Sequence, residues 1–258
     1  SCREISWRTC SGHGWTLGCA MPDTRLLSDG RARIGILLLG AIVLVALAAP
    51  VIAGFDPLAQ PDVVATRFTP PFARDGLGAF HLLGTDRFGR DVWSRLVYGS
   101  RVSLVTGFLA TALAVAIGVL VGLAAGVGTA RIGRLLMAFT DFALAIPRVV
   151  LLLLLAALWE PSGPLDVAVL GLTGWMSVAR LVYGEATSLM ARPFVGSARA
   201  LGAGRPRLAF THILPNSWTP VIVAAALGVG NAITLEAGLS FLGLGIQPPT
   251  PSWGGMIA

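Results

Sequence analysis

Long apolar stretches alternate with polar segments over most of the chain. Five stretches of 19 to 25 residues hold few charges, and each is long enough to cross a hydrocarbon layer about 30 Å thick as a helix. The predicted spans are 34–54, 104–127, 135–159, 165–183 and 218–236. Because an apolar span must satisfy its own backbone hydrogen bonds, the pattern predicts an all-α polytopic membrane protein whose transmembrane domain covers residues 34–258.

Arginines beside the first span set the predicted orientation. Arg25, Arg31 and Arg33 stand directly before it, and the positive-inside bias places such a flank in the cytoplasm. Residues 1–33 then form a cytoplasmic amino-terminal segment, the segment 55–103 is periplasmic, and the loop 184–215 is cytoplasmic. The outer segment also contains six arginines, which the same bias disfavours on that side.

Composition and charge narrow the function further. The 258 residues are 55% hydrophobic and 12% charged, and all 19 basic residues are arginines. A phosphate-binding loop ending in Gly-Lys-Ser/Thr is therefore impossible, so the chain is not expected to be an ATPase or to hold a nucleotide cofactor. The net charge of +6 is spread along the loops between spans, where it sets orientation, and a nucleic-acid partner is not expected.

The three cysteines all precede the first span. Cys2, Cys10 and Cys19 lack the tight Cys-x-x-Cys pairing of a metal site, so no metal is predicted there. Residues 1–20 are interpreted as an upstream extension, since Met21 is a more natural start.

The inner loop contains two short amphipathic segments. The first, 191–202, is predicted to be a helix with Phe194, Val195, Ala198 and Leu201 on one face, and it ends at Gly202. The second, 205–214, carries apolar Leu208, Ala209, Ile213 and Leu214, and Pro215 is predicted to stop it. Two readings stay open: a basic loop that only fixes topology, or a docking site for another protein.

The outer segment ends in a turn followed by a helix. Residues 84–89 are predicted to form the turn, and residues 90–98 an amphipathic helix in which Asp91 and Arg95 pair at i, i+4. This region either caps the next span or contacts a partner outside the cell.

Four polar residues inside or near the spans are candidates for a translocation pathway: Asp141, Arg148, Asn231 and Glu236. Pro147 interrupts the third span just before Arg148. Arg148 either faces a water-filled pathway, where it attracts a peptide carboxylate, or snorkels or pairs with Asp141. Gly118, Gly122 and Gly126 recur every four residues in the second span, which favours close packing against another helix.

Three blocks of sequence resemble a known family. ARALGAGRPRLAFTHILPN resembles the cytoplasmic loop of membrane subunits of binding-protein-dependent ABC importers, whose pattern is Glu-Ala-Ala, three residues, Gly, then Leu-Pro. Here Ala198, Gly202 and Leu214-Pro215 match, but Gly196 takes the place of the Glu and Ser197 that of the first Ala. The nearest upstream carboxylate is Glu185.

The other two blocks resemble the peptide branch of that family. HLLGTDRFGRDVWSRLVYGSRVSL is similar to the signature before the second helix in C-type permeases of dipeptide, oligopeptide and nickel importers, and EAGLSFLGLGIQPPTPSWGGM matches the same branch. The matching signature residues include Gly84, Thr85, Asp86, Gly89, Arg90, Asp91 and Arg95.

The resemblance implies an ABC importer type I transmembrane domain in the bacterial inner membrane. Its implied partners are a homologous second permease subunit, two cytoplasmic ATPase subunits and a periplasmic or lipid-anchored substrate-binding protein. The loop 184–215 would couple the chain to the ATPases, with Glu185, Gly196, Ala198, Leu201, Gly202, Leu208, Leu214 and Pro215 as its site residues. The cargo would be a peptide or nickel.

Two alternatives remain. The family has a sixth span, which is missing here, so the chain is expected to be truncated, and it could be an inactive scaffold remnant of a permease. A secondary transporter is a further alternative, but neither ion-coupling residues nor repeated halves are apparent.

Overall fold

The computed structural model describes residues 30–257, apart from the side chains of residues 31 and 32. The predicted extension, residues 1–20, and the three cysteines lie outside the described residues. The chain forms two units, residues 1–43 and 44–258. The first unit contributes residues 30–43 of helix α1, and the second holds all later elements.

The described part of the structure is mostly helical. These are α1 (Gly30–Leu47), α2 (Ala49–Ile52), α3 (Val63–Thr66), α4 (Val92–Val127), α5 (Ala130–Ala145), α6 (Arg148–Ala157), α7 (Gly163–Met190), α8 (Pro193–Ala200), α9 (Arg205–Arg207), a π-helical segment (Leu208–Ile213), α10 (Leu214–Asn216) and α11 (Trp218–Phe241). Strands β1 (Ala73–Arg74) and β2 (Phe80–His81) form a small antiparallel hairpin. The predicted all-α class is confirmed, with this hairpin as a minor addition.

The two longest helices, α4 and α7, pack against each other along most of their length. Glycines of α4 make the close approach possible: a Cβ atom at Gly118 would lie 2.6 Å from the Cβ of Val178, and one at Gly122 would lie 2.7 Å from the Cβ of Val182. At Gly126 it would lie 2.5 Å from the Cβ of an alanine on α7. The close packing predicted from the glycine spacing is therefore confirmed.

Pro50 interrupts the helical path after α1. Because proline has no N–H, the carbonyl of Ala46 loses its helical partner. Arg101 of α4 replaces it: Nε donates to the carbonyl of Ala46 at 2.5 Å, and a terminal nitrogen donates to the carbonyl of Leu47 at 3.0 Å. Arg101 belongs to the signature block 81–104, which we call the outer signature. It thus satisfies backbone groups at the end of the first apolar stretch.

The interruption predicted at Pro147 divides the stretch 135–159 into α5 and α6, whose axes differ by 83°. Ile146 has the extended backbone that sterics impose on a residue before proline. Pro147 caps α6, so that Arg148 is the first residue of the new helix. The break therefore places a charged side chain at a helix start inside an apolar region.

Among the described residues, α4, α7 and α11 are long and apolar enough to cross a membrane, and α5 with α6 adds a fourth crossing if the pair forms one broken span. The apolar part of α1, Arg33–Leu47, is shorter. The total of five spans stays a prediction. Helix α4 begins at Val92, so the short helix predicted at 90–98 and the span predicted at 104–127 form one element.

Candidate functional site

The inner loop forms two helical pieces, although not with the predicted ends. Helix α7 continues to Met190, so that Glu185 belongs to this long helix and not to the loop. After a turn, the second piece runs from Arg205 through Asn216. The prediction that Pro215 stops it is wrong, because a π-helical segment precedes the proline. Its wider turn keeps the carbonyl of Thr211 clear of the proline ring.

Gly202 closes α8 with a Schellman motif. The N–H of Ala203 donates to the carbonyl of Ala198 at 3.0 Å, and the N–H of Gly202 donates to the carbonyl of Arg199 at 2.9 Å. Gly202 itself has φ +87°, in the left-handed region that favours glycine. Two of the residues that match the family loop, Ala198 and Gly202, therefore act together in one helix-ending turn.

Buried apolar side chains attach the inner loop to α4 and α7. Val195, Leu208 and Ile213 are almost completely buried and share one apolar cluster with Leu123 of α4 and Val182 of α7. Leu214 packs at the edge of this cluster, while Pro215 is exposed. Because the cluster ties the loop to both central helices, a displacement of the loop moves their ends as well.

Other large apolar side chains of the loop are exposed. Leu201 is 90% exposed, Phe210 56% and Phe194 41%. Of the four residues predicted to share a face of α8, only Val195 is fully buried and Ala198 is half-buried. Four arginines of the same loop are also exposed: Arg192, Arg199, Arg205 and Arg207. We call the exposed residues Phe194, Leu201 and Phe210 the docking face.

At the position of the family glutamate, Gly196 lies within α8, and a Cβ added there would meet nothing within 4 Å. Glu185 is half-buried on α7 and lies on a different helix from Gly196. The carboxylate of the family pattern is thus absent from α8, and the large exposed side chains of the loop are apolar or basic.

The outer signature holds the segment 55–103 together. Thr85 accepts a hydrogen bond from the N–H of Thr69 at 2.9 Å and donates its hydroxyl to the carbonyl of Thr66. Gly84 and Gly89 have φ +76° and +74°, which confirms the predicted turn. A Cβ at either glycine would lie within 2.2 Å of the Thr69 carbonyl oxygen or the Thr66 hydroxyl, so only glycine fits.

The predicted Asp91–Arg95 ion pair is wrong. Asp91 caps α4 by accepting from the N–H of Ser94 at 2.7 Å. Arg95 donates to the carbonyl of Pro57 at 3.3 Å, and its Nε lies 4.0 Å from Asp86, which also binds Arg90 at 2.7 Å. Asp91 does not pair with Arg95 because its carboxylate caps the first turn of α4. Arg95 instead binds groups that precede the helix.

His81 and Asp75 belong to this network although the sequence did not single them out. His81 Nδ1 lies 2.8 Å from Asp91 Oδ1, and Nε2 lies 3.2 Å from Asp75 Oδ2. Burial of the Asp75 side chain raises its pKa. Hydrogen bonds from the Ala79 N–H, the His81 ring and the Leu77 N–H outweigh this and hold the pKa below its usual value. The cluster links hairpin, turn and helix start.

The described residues contain no group of three or more His, Cys, Asp or Glu side chains arranged to hold a metal ion. In the outer cluster, both ring nitrogens of His81 already face carboxylates. The arrangement of the signature therefore fits a structural role in the outer segment.

The four pathway candidates are not brought together. Arg148 and Asn231 line one cavity of about 430 Å³ between α4, α6, α7 and α11. Asp141 instead pairs with Arg180 at 2.5 Å, and both side chains are about half exposed or more. This pairing removes the predicted alternative in which Asp141 neutralises Arg148.

Glu236 is fully buried near the carboxyl end of α11. It accepts a hydrogen bond from Ser240 at 2.8 Å and lies 3.5 Å from the hydroxyl of Ser103. Asp166 on α7, which the sequence did not single out, interacts electrostatically with it and is 1% exposed, with no hydrogen-bond partner for its carboxylate in the described region. Glu236 thus belongs to a helix-packing site and not to the cavity.

The chain matches a known protein family and is similar to several known proteins. A family model described as "Binding-protein-dependent transport system inner membrane component" matches residues 88–258. The chain is 40% identical over 225 residues to the Di/tripeptide transport system permease protein DppC of Pseudomonas aeruginosa, covering 87% of this chain and 73% of that protein. It is 36% identical over 230 residues to the Dipeptide transport system permease protein DppC of Haemophilus influenzae, covering 88% and 76%. A putative peptide permease protein of Brucella suis is 36% identical over 238 residues, covering 92% and 76%.

Proposed function

This chain belongs to the family of binding-protein-dependent transport system inner membrane components, and from that premise we propose that it is one of two non-identical membrane subunits of an ATP-driven importer of short peptides. It is a multi-pass membrane protein and not an enzyme, because ATP hydrolysis in this family is carried out by separate subunits. An external binding protein delivers the cargo, and two cytoplasmic ATPases drive its transfer through the pathway.

The docking face carries this proposal. Three large apolar side chains are exposed on a loop whose other side is locked into the core of α4 and α7. Exposed apolar groups rimmed by charge are typical of a protein interface. Closure of the ATPases around nucleotide displaces this face, and the buried anchors transmit the movement to the two central helices.

This role fixes the orientation that we propose. The amino terminus and the inner loop face the cytoplasm, where the ATPases are, and the outer signature faces the binding protein. The signature holds the outer segment in one shape, so that a rigid surface receives the binding protein.

Short peptides are the proposed cargo because the similar proteins from Pseudomonas, Haemophilus and Brucella are all named as peptide permeases. The cavity beside Arg148 has a volume within the range of about 300–1,000 Å³ that is usual for small-molecule sites. No comparable observation favours nickel as cargo.

Transport by the assembled complex tests this proposal. We expect proteoliposomes that contain this chain with its partner subunits to accumulate radiolabelled dialanine only when ATP and the binding protein are both present. Vesicles without ATP are the control. Accumulation of nickel ions without dialanine would show that the cargo is wrong, and no ATP-dependent accumulation of either would favour an inactive scaffold.

A further inference from the structure

The cavity between α4, α6, α7 and α11 lies at mid-depth in the bundle. It is lined by residues near the centres of the three longest apolar helices, including Ala110 of α4, Gly174 of α7 and Gly228 of α11. Most of its other lining residues are apolar. A site at this depth is where a solute that crosses the bundle is most completely removed from water.

One charge projects into this cavity. Arg148 is the only charged residue among the described lining residues. Its guanidinium lies against Gly174, where an added Cβ would be 3.2 Å from a terminal nitrogen. It donates to the carbonyl of Leu170 at 3.3 Å, with a longer contact of 3.5 Å to the hydroxyl of Thr173. A guanidinium has five N–H donors, so most of them stay available.

No carboxylate in the described part of the chain neutralises this charge. Within residues 30–257, no ion pair joins Arg148 to Asp or Glu, and the nearest sequence candidate, Asp141, is paired with Arg180. A cation at membrane depth is costly unless a counter-charge or water offsets it. An anionic ligand supplies that counter-charge.

A second polar group in the cavity also lacks a partner. Thr111 is 7% exposed, and its hydroxyl makes no hydrogen bond with any described residue. Buried polar groups in proteins are nearly always hydrogen-bonded, so this hydroxyl is suited to donate to a group that enters the cavity. Asn231 and Ser177 add further polar side chains to the same wall.

We propose that Arg148 and Thr111 form a binding site for the terminal carboxylate of a short peptide in transit. Arg148 donates to the carboxylate oxygens, since a guanidinium fork matches the geometry of a carboxylate. Thr111 donates its hydroxyl to the same end of the peptide, and the apolar walls accept the side chains. The inference rests on the proposed peptide import and adds the group that the pathway recognises.

Protection of a cavity thiol tests the site directly. Ser177 lines the cavity and is exposed, so Ser177→Cys, made in a chain whose three native cysteines are replaced by serine, is a nearly isosteric reporter. The full complex in nanodiscs is treated with a small water-soluble thiol reagent. We expect dialanine to slow the modification and dialanine amide to need about a tenfold higher concentration, because the amide lacks the charge that strengthens a hydrogen bond to arginine.

Variants of Arg148 show whether its charge causes the difference. Arg148→Gln is expected to remove the tenfold discrimination between acid and amide, and Arg148→Lys to retain part of it. Arg134→Gln is the matched control, because Arg134 is an exposed arginine whose only hydrogen bond within residues 30–257 goes to the carbonyl of Ala130 on its own helix. The Arg134→Gln chain is expected to discriminate between dialanine and dialanine amide as strongly as the parent chain does.

Several results would overturn the site. Equal protection by dialanine and dialanine amide in the parent chain would overturn it, even if the Arg148→Gln chain fails to fold. Discrimination between the two compounds that persists in Arg148→Gln would overturn it as well. Protection that depends on anionic lipid in the nanodisc and not on dialanine would assign the site to a lipid headgroup. Failure of ATP-dependent dialanine uptake with intact acid-selective protection would reject peptide import but leave the carboxylate site standing.

Discussion

Gly122→Val is expected to destabilise the folded protein and to lower its yield in the membrane. A Cβ at this position would lie 2.7 Å from both the Ala179 carbonyl oxygen and the Val182 Cβ, and 2.9 Å from a Val182 methyl. The backbone oxygen cannot rotate away, so α4 and α7 must separate along their contact. Overpacking of this kind costs about 1–3 kcal/mol or more, against a total stability of about 5–15 kcal/mol.

The measurement is the yield of monodisperse protein after extraction in mild detergent, together with its thermal unfolding midpoint. Gly184→Val is the matched control, since Gly184 lies in α7 and an added Cβ there meets nothing within 4 Å. The control is expected to accumulate normally. Equal yield and equal midpoint for the two variants would show that the α4–α7 contact does not hold the bundle together as described.

Gly202→Val is expected to reduce peptide uptake at least tenfold while the chain still inserts and folds. Gly202 has φ +87° and open space around it, so the valine meets no neighbour but cannot adopt the left-handed backbone without strain. The Schellman turn then opens, and Leu201 leaves its place on the docking face.

Uptake and ATPase activity measured together test this expectation. Binding-protein-stimulated ATP hydrolysis should fall in parallel with uptake, while the yield stays normal because Gly202 lies outside the apolar cluster. Gly78→Val is the matched control: Gly78 has φ +88°, also with nothing within 4 Å, but it lies in the outer hairpin. Unchanged uptake and stimulation in the Gly202 variant would refute the role of this turn in coupling.

Features set by local sequence were predictable. The glycine that ends α8, the turn from Gly84 to Gly89 and the interruption at Pro147 each follow from backbone sterics at one position. The glycine spacing in α4 also predicted a close helix contact, although not that α7 is the partner. These signals need only a few neighbouring residues, so one sequence is enough to detect them.

Side-chain partners across the fold were not predictable. Asp91 and Arg95 have the spacing of a helical ion pair, but His81 and Pro57 compete for them from distant parts of the chain. Asp141 binds Arg180 on another helix for the same reason. Asp166 gave no signal, because only the packing of α7 shows that its carboxylate is buried.

The helix end predicted at Pro215 was wrong for a different reason. A proline ordinarily ends or kinks a helix, and the sequence carries no mark of the π-helical turn that admits it here. Phe194, Val195, Ala198 and Leu201 were predicted to share one apolar face of α8, yet Val195 is buried and Leu201 is exposed. Only the position of α8 on the cluster decides which side chains stay exposed.

Cross-linking from the docking face tests the central claim most directly. A chain with Leu201→Cys as its only cysteine, expressed with its partner subunits, is treated with a short thiol-to-amine cross-linker in membranes. We predict that an ATPase subunit becomes attached to residue 201, and that an impermeant thiol reagent added to intact cells does not label it. Labelling from outside, or no attached ATPase although the complex is assembled, would contradict the account.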